Sequence, residues 1–477
     1  GTDAFQECET IGITGDCNKH NYLVENAARL PTIVHEAFHV ARNGRPGPVL
    51  MDIPKDVQFE EANYVSRDHA AKRDCIIVPE PASREIHAAV EMLRQAQRPV
   101  FYTGGGVINA GPQASADLRQ LVQESGAPVT STLMGLGAFP AHDVHWLGML
   151  GMHGSVEANT AMHECDLMIA IGARFDDRVT GRLDAFSPNS RKIHIDIDPS
   201  SINKNVPVDL PIIGNAGHTL SALVQEWRRR EQQSPTGRER LAGWWQQIGK
   251  WRQQNSFAYE NSSEVIGPRD AIERLYELTR DKDVYVTTEV GQHQMWAAQH
   301  FHFTEPNRWM TSGGLGTMGY GLPAALGVQV AHPGALVIDI AGDASVQMTM
   351  QEMSAAVQHN LPVKIFILNN EYLGMVRQWQ ELLHGGRYSH SYSDSLPDFV
   401  KLAEAYGGVG LRAKSPAELD DRIQEMIHVD KPVLFDCCVS KEENVFPMIP
   451  SGAAHNEMLL GGAVTGDEIG AAGKVLV

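Results

Sequence analysis

The sequence predicts an α/β protein of two or three domains, built from parallel sheets flanked by helices, on three observations. The chain is 477 residues long, beyond the roughly 250 to 300 residues at which a single hydrophobic core stops growing. Helical patterns alternate with short continuous apolar runs, the mark of strands buried on both faces. Two neighbouring runs end in polar residues suited to holding a cation and a phosphate group, as the carboxyl ends of parallel strands do.

Composition narrows the function classes. Hydrophobic residues make up 43% of the chain, and no apolar run approaches the roughly 20 residues that cross a bilayer, so no membrane span is expected. The 40 basic and 58 acidic side chains leave a net charge of -18, which disfavours a nucleic-acid surface and repels small anions at long range. An anionic substrate must then be held by locally placed cations. The six cysteines (Cys8, Cys17, Cys75, Cys165, Cys437, Cys438) show no CxxC spacing and sit in apolar or mixed segments, as reduced cytosolic thiols do rather than a disulfide framework. The first residue is Gly1 rather than Met, with no charged-then-apolar leader after it, so an N-terminal segment is expected to be missing.

Residues 1–65 carry a helical stretch at 30–41, a turn at Gly44-Arg45-Pro46-Gly47-Pro48 and a buried-strand pattern at 49–53 that ends at Pro54-Lys55. This is too little for an independent core and reads as the second half of an incomplete α/β domain. Over 86–225, helical patterns alternate with apolar runs at 99–102, 128–132, 167–171 and 192–197, predicting a parallel sheet covered by helices. Residues 228–255 are rich in Arg, Gln and Trp and predict an exposed helical connection. A second α/β unit spans 266–440, with strands at 284–288, 335–340, 363–368 and 433–437. Residues 441–477, with Pro447, Pro450 and several glycines, read as a C-terminal extension packed over another part of the chain.

The run 335–340 ends in Ala341-Gly342-Asp343-Ala344-Ser345 before a helical pattern expected over 346–359, and the run 363–368 ends in Asn369-Asn370. Asp343 and Asn370 are therefore expected side by side at the carboxyl ends of adjacent parallel strands. A carboxylate and an amide oxygen converging beside a helix opened by Gly and Ser suit a hard divalent cation and a diphosphate. Taken singly, Gly-Asp is as well explained as a helix cap and Asn-Asn as a turn. Their spacing, about 25 to 30 residues, matches the thiamine diphosphate signature.

With those residues in view, the chain resembles acetohydroxyacid synthase (acetolactate synthase) catalytic subunits along nearly its whole length. The matching segments are Gly1-Thr2-Asp3-Ala4-Phe5-Gln6-Glu7, 44–49, Pro54-Lys55-Asp56, 147–154, 172–181, Gly291-Gln292-His293-Gln294-Met295-Trp296 and 374–379. The resemblance implies a three-domain thiamine diphosphate architecture whose pyrimidine-binding first domain is incomplete. It implies that Asp343, the Asn370 side chain and the Tyr372 carbonyl bind Mg²⁺, that Gly291, Gln292, His293 and Gly342, Asp343, Ala344, Ser345 hold the diphosphate, and that Met318 props thiamine into a bent shape. Residue by residue, His293 reads equally as a structural histidine and Met318 as a core methionine. The five glycines within 311–321 let backbone approach a cofactor closely.

For the middle domain the resemblance implies FAD, held at Arg45, Gly104, Gly105, Gly106, Thr132, Leu133, His153, Gly172, Arg174, Asp176, Arg178, Asp196, Ile197 and Asn215. The implied reaction joins pyruvate to a second 2-keto acid with loss of CO₂, in branched-chain amino acid biosynthesis. Arg178 is implied to bind the second acid's carboxylate and Trp379 its alkyl group, with Phe5, Gln6, Lys55 and Met375 lining the access channel. On the residues alone, Arg178 could instead pair with Asp176 or Asp177, and Trp379 could fill a core. The glutamate that drives cofactor deprotonation in the family is expected in the missing segment, so the chain as it stands is expected to turn over little. Also implied are a homodimer or tetramer with its active site at the interface, a separate small regulatory subunit, and a cytoplasmic setting.

Overall fold

The structure, a computed structural model, describes residues 7–64 and 80–461. The chain forms two compact units, one made of Gly1–Glu80 with Ile197–Ser200 and Ile213–Asn215, the other of the remainder.

In the first unit, strands β1 (His20–Leu23) and β2 (Val49–Asp52) pair in parallel, joined by the helix Leu30–Arg42. That helix buries Ile33 and Ala37, and Ile33 clusters with Val24 and Val57. Its last turn is tied down by the Lys19 ammonium, which donates to the carbonyls of Val40 (2.6 Å), Asn43 and Arg45 (2.8 Å), a cation placed where helix carbonyls lack partners. The strand at 49–53 was expected to be buried; every residue of β2 is only half-buried, because a two-stranded sheet covers little of its own surface.

The second unit contains two six-stranded sheets. One has the order β5-β4-β3-β6-β7-β8, from β3 (Pro99–Thr103), β4 (Val129–Ser131), β5 (Trp146–Met149), β6 (Leu167–Ile171), β7 (Arg191–Asp196) and β8 (Leu210–Ile213). β3 and β6 are buried along their whole length, which is why they read as continuous apolar runs. The other sheet has the order β10-β9-β11-β12-β14-β13, from β9 (Val284–Thr288), β10 (Trp309–Met310), β11 (Leu336–Gly342), β12 (Lys364–Asn369), β13 (Val409–Ala413) and β14 (Val433–Cys438). Its strands all run parallel. The chain leaves β9 outward to β10 and returns to β11 on the opposite side of β9. Such a reversal opens a crevice at the carboxyl ends of β9 and β11.

Two expectations are corrected. The helix expected over 346–359 is two short 3₁₀ turns, Val346–Met348 and Met350–Glu352, followed by a helix confined to Met353–Gln358; Thr349, at φ -137°, leaves the helical region between the two turns, with its hydroxyl bonded to the Gly319 carbonyl. Residues 228–255 are not a purely exposed connection. The helices Ala216–Gln233 and Ala242–Arg252 bury Trp227, Trp244 and Ile248, and the Trp244 and Trp245 indoles donate to the carbonyls of Pro99 and Gly126. The segment is amphipathic: Trp244 is core, and Trp245 and Trp251 pack half-buried against it.

Residues 441–461 pack as an arm whose Val445, Met448 and Ile449 are buried. The arm touches both sheet domains of this unit: Pro447 O accepts from His153 Nδ1, and Val445 N donates to Gln378.

Glu226, buried on the helix Ala216–Gln233, gives a stability prediction. It accepts from Arg229 (2.7 Å) and Arg230 (2.8 Å) and faces His87 at 3.4 Å. The Arg229 bond foremost, with the others outweighing burial, holds its carboxyl at about 2, below the ordinary 4.5. A depressed carboxyl stabilises the fold above its ordinary value and loses that contribution as pH falls through the folded value. Glu226→Gln is therefore expected to lower the melting temperature at pH 7, with the gap to the parent closing as pH falls from 4.5 towards 2. Thermal melts across that range check it.

Candidate active site

The crevice at the ends of β9 and β11 gathers residues from four separated segments. It is lined by Val290–His293 and Trp296, by Met318, by Gly342–Ser345, and by Leu368, Asn370 and Tyr372–Val376. The ladder explains this convergence: Gly342 pairs with Leu368 in the β11–β12 register, so Asp343 and the Asn369-Asn370 pair leave the sheet at the same level.

Asp343 is 1% exposed. Its Oδ2 accepts from the Glu371 backbone N–H at 2.6 Å, while Asn370 Oδ1 accepts from Tyr372 N at 3.1 Å. The turn Asn370-Glu371-Tyr372 thus folds back on both side chains, with Glu371 in the left-handed region at φ 59° and clamped outside by Lys441 and Tyr392. Burial pushes the Asp343 carboxyl up to about 7; amide bonds from Glu371 and Ala344 oppose this, and the neighbouring acids Asp436 and Glu371 add to it. A dry carboxylate flanked by acids is electrostatically incomplete. Among the described residues no group of three His, Cys, Asp or Glu could hold a metal. A cation here would have one carboxylate, an amide oxygen and a carbonyl, and would need further oxygen ligands from a bound group or water, the habit of Mg²⁺.

His293 lies against the two glycines of the crevice. A β-carbon on Gly291 would sit 2.7 Å from its ring, and one on Gly342 2.8 Å, so both positions need glycine. Burial depresses the imidazole to about 3, against a bond to the Glu289 backbone, and its Nε2 has no protein partner. A neutral, buried ring with an orphaned nitrogen fits a site completed by a ligand. Gln292 is fixed by Gln378 at 2.9 Å and by the Glu443 carbonyl at 3.1 Å.

Beside the crevice, a second hollow is lined by Met375, Val376, Trp379, Gln380, His384 and Arg387. The helix Gly374–Leu383 supplies four of these. Arg178 lies over the Trp379 ring at 5.8 Å and also faces Asp177 at 3.6 Å. Asp176 instead accepts from the Arg178 backbone. The guanidinium remains 57% exposed, so neither contact consumes it.

In the other sheet, Gly104-Gly105-Gly106 follows β3 and Gly172 follows β6. Gly104 N donates to Ile171 O at 2.9 Å and Gly106 N to Gly172 O at 3.0 Å. A β-carbon on Gly106 would meet Gly172 at 2.5 Å. These glycines therefore let two strand ends close on each other, which explains them without a ligand. Nearby buried atoms are left over: Thr132 Oγ1 and His153 Nε2 have no protein partner. Burial holds His153 at about 4, the Pro447 carbonyl opposing and Arg178 assisting. Leu133 opens a short 3₁₀ turn, and Asp196 ends β7.

Lys55, Arg45, Ile197 and Asn215 belong to the first unit, where Arg45 pairs with Asp198 at 3.2 Å and Lys55 opens the helix Lys55–Gln58. Phe5 and Gln6 lie outside the described residues. Sequence reasoning missed Glu289, which is wholly buried beside the crevice, and Gln378, which orients Gln292. Glu289 adjoins the matching segment at 291–296, and Gln378 lies within the one at 374–379 but was given no role there.

Comparison with known proteins follows the same division. A family model for the thiamine pyrophosphate enzyme C-terminal TPP binding domain matches residues 289–437, and one for the central domain of these enzymes matches 86–223. The acetolactate synthase large subunit of Haemophilus influenzae is 46% identical over 96% of this chain and 80% of its own length. The isozyme 3 large subunit of Escherichia coli is 45% identical over the same shares. That of the red alga Porphyra purpurea is 43% identical over 96% of the chain and 77% of its own length. Carrying both thiamine pyrophosphate enzyme domains and this degree of identity, the chain belongs to the acetolactate synthase large subunit family.

Proposed function

We propose that this chain condenses pyruvate with pyruvate or 2-ketobutyrate, losing CO₂ and giving 2-acetolactate or 2-aceto-2-hydroxybutyrate, with thiamine diphosphate anchored by Mg²⁺ in the crevice of β9 and β11. The observation that carries this reading is the convergence of Gly291–His293, Met318, Gly342–Ser345 and Asn370 on one cleft around a dry, cation-deficient Asp343. When bound, thiamine diphosphate supplies a carbanion equivalent that accepts the keto carbon, releases CO₂ and delivers the remaining two carbons to the second acid.

In this reading Asp343, Asn370 Oδ1 and the Tyr372 carbonyl hold the cation. The backbone of Gly291–His293 and Gly342–Ser345 holds the diphosphate, and the orphaned His293 Nε2 gains its partner there. Met318 supports the thiamine. Arg178 offers its exposed guanidinium to the second acid's carboxylate, which a protein of net charge -18 cannot attract at long range. Trp379 and Met375 wall off the alkyl group. FAD accounts for the unpartnered Thr132 and His153 atoms in the other sheet, where Arg174 and Asp196 also lie. The relatives are named large subunits, which supports pairing with a small subunit; a homodimer or tetramer and a cytoplasmic setting complete the proposal. Among the described residues no helix is long and apolar enough to cross a membrane.

Two outcomes are expected. With pyruvate, thiamine diphosphate, Mg²⁺ and FAD, protein expressed from the complete upstream reading frame forms acetolactate, measured colorimetrically, and Asp343→Ala in it lowers that rate by about a hundredfold or more at equal cofactor; a variant within about threefold of the parent contradicts the metal assignment. Arg178→Gln is expected to lower kcat/KM about tenfold or more, the scale of a lost charge-assisted hydrogen bond. Because Arg178 is more than half exposed, its melting temperature should stay with the parent's, and a shared fall in both would mark a structural role instead.

A further inference from the structure

The loop that carries Met318 is tied at both ends and exposed in the middle. At its start, Thr311 Oγ1 is bonded to Thr288 Oγ1 (2.7 Å) and Gln294 Nε2 (2.6 Å). At its tip, Leu315 is 96% exposed. At its end, the buried Glu289 carboxylate accepts from the backbone N–H groups of Gly319 (2.5 Å), Gly321 (2.9 Å) and Leu322 (3.3 Å). Three amides at the opening turn of the helix Gly321–Ala331 thus converge on one side chain, a strong arrangement because the acceptor is charged and the helix N-terminus favours an anion. Gly319 is held a second time, its carbonyl accepting from Thr349 Oγ1 at 3.2 Å.

A second acid lies on the other side of the same backbone. Asp339, in the middle of β11, is wholly buried. Its Oδ1 accepts from Thr287 Oγ1 at 3.1 Å, its Oδ2 has no partner, and a β-carbon at Gly321 would come within 2.1 Å of Oδ1. Two ionised carboxylates cannot flank one dry backbone segment without strong repulsion. Burial raises both carboxyls, but Glu289 has amide donors that oppose the rise while Asp339 has one hydroxyl, so of the two Asp339 is pushed further towards its neutral form. Burial first and Glu289 second push Asp339 well above the ordinary carboxyl range.

We propose that Glu289 is a positioning residue for the cofactor: by gripping Gly319–Leu322 it fixes Met318, one residue upstream, against the thiamine crevice. This rests on the thiamine reading above. Glu289 acts through the loop rather than on the reacting atoms, so its loss should loosen cofactor binding and slow turnover while leaving the neighbouring hollow of Trp379 and Arg387, where the second acid is placed, unaffected.

The test uses the holoenzyme and its Glu289→Gln and Asp339→Asn variants, reading thiamine diphosphate affinity by tryptophan fluorescence with Mg²⁺ present, and then kcat and pyruvate KM at saturating cofactor. Glu289→Gln replaces acceptor lone pairs with an amide N–H group facing other N–H groups, so its dissociation constant should rise about tenfold or more, with kcat falling and KM within about twofold. Asp339→Asn, which mimics the protonated acid, should change the affinity by less than about threefold. A Glu289→Gln enzyme with parental affinity and kcat overturns the proposal, as does an Asp339→Asn loss of equal size. If Glu289→Gln gives no folded protein, Glu289→Asp, which keeps the charge but shortens its reach, should show an intermediate loss, and parental affinity there overturns the proposal equally. A parent enzyme that binds no thiamine diphosphate would sink the function reading itself, a result distinct from unaffected variants.

Discussion

Gly342 pairs with Leu368 in the parallel ladder of β11 and β12, and the crevice depends on that register. Side chains alternate faces along a strand, so a slip of one residue would turn Asp343 away from the Asn370 turn and move the whole apolar set of both strands to the wrong face. The apolar residues hold it: Ile338, Ile340, Phe366 and Leu368 lie in one core on one side of the sheet, and Val337, Ala341, Ile365 and Ile367 in another on the opposite side. Burial on both faces fixes the strands, and the strands deliver the polar residues to a common edge.

That edge concentrates acids where little water reaches. Asp343, Asp339 and Glu289 are buried at the carboxyl end or interior of one sheet, and Asp436 is buried on β14. Each is accommodated differently. Asp436 is paired with Arg412 at 2.7 Å and accepts from Asn369. Glu289 is met by backbone amides, and Asp339, bonded to Thr287, is pushed towards its neutral form by burial and by Glu289. Asp343 has only amide bonds, and burial carries it up to about 7. Of the four it is the one whose surroundings call for a cation, and it is the one the spacing of Gly-Asp and Asn-Asn singles out. Arg412, Asp436 and Asn369 also brace the Asn370–Tyr372 turn from behind, since Asn369 Oδ1 accepts from the Glu371 backbone at 3.3 Å.

Much of this was legible in the sequence because fully buried parallel strands leave continuous apolar runs. The expected strands at 167–171 and 284–288 coincide with β6 and β9, and the Gly-Asp and Asn-Asn ends of β11 and β12 converge as the spacing required. The failures have physical reasons. The helix expected over 346–359 has suitable composition, but Thr349, bonded through its hydroxyl to the distant Gly319 carbonyl, leaves the helical region and the segment falls into 3₁₀ turns. The tryptophans of 228–255 sit among charges that hid an amphipathic pattern. The glycine triplet at 104–106 signals strand ends in backbone contact as strongly as a nucleotide cradle, and local sequence cannot separate the two. Glu289 escaped notice because a buried carboxylate that binds backbone amides leaves no mark in its own neighbourhood; its partners lie 30 residues or more away.

The central claim is that the crevice of β9 and β11 holds thiamine diphosphate through a divalent cation. Trp296 lines that crevice, so its fluorescence reports on the site. The most direct measurement is a titration of the protein with thiamine diphosphate, following tryptophan emission, once with Mg²⁺ and once with a chelator. The account predicts saturable quenching with Mg²⁺ that disappears when the metal is removed and returns when it is restored. Equal affinity with and without the cation, or no saturable change in either case, would contradict it.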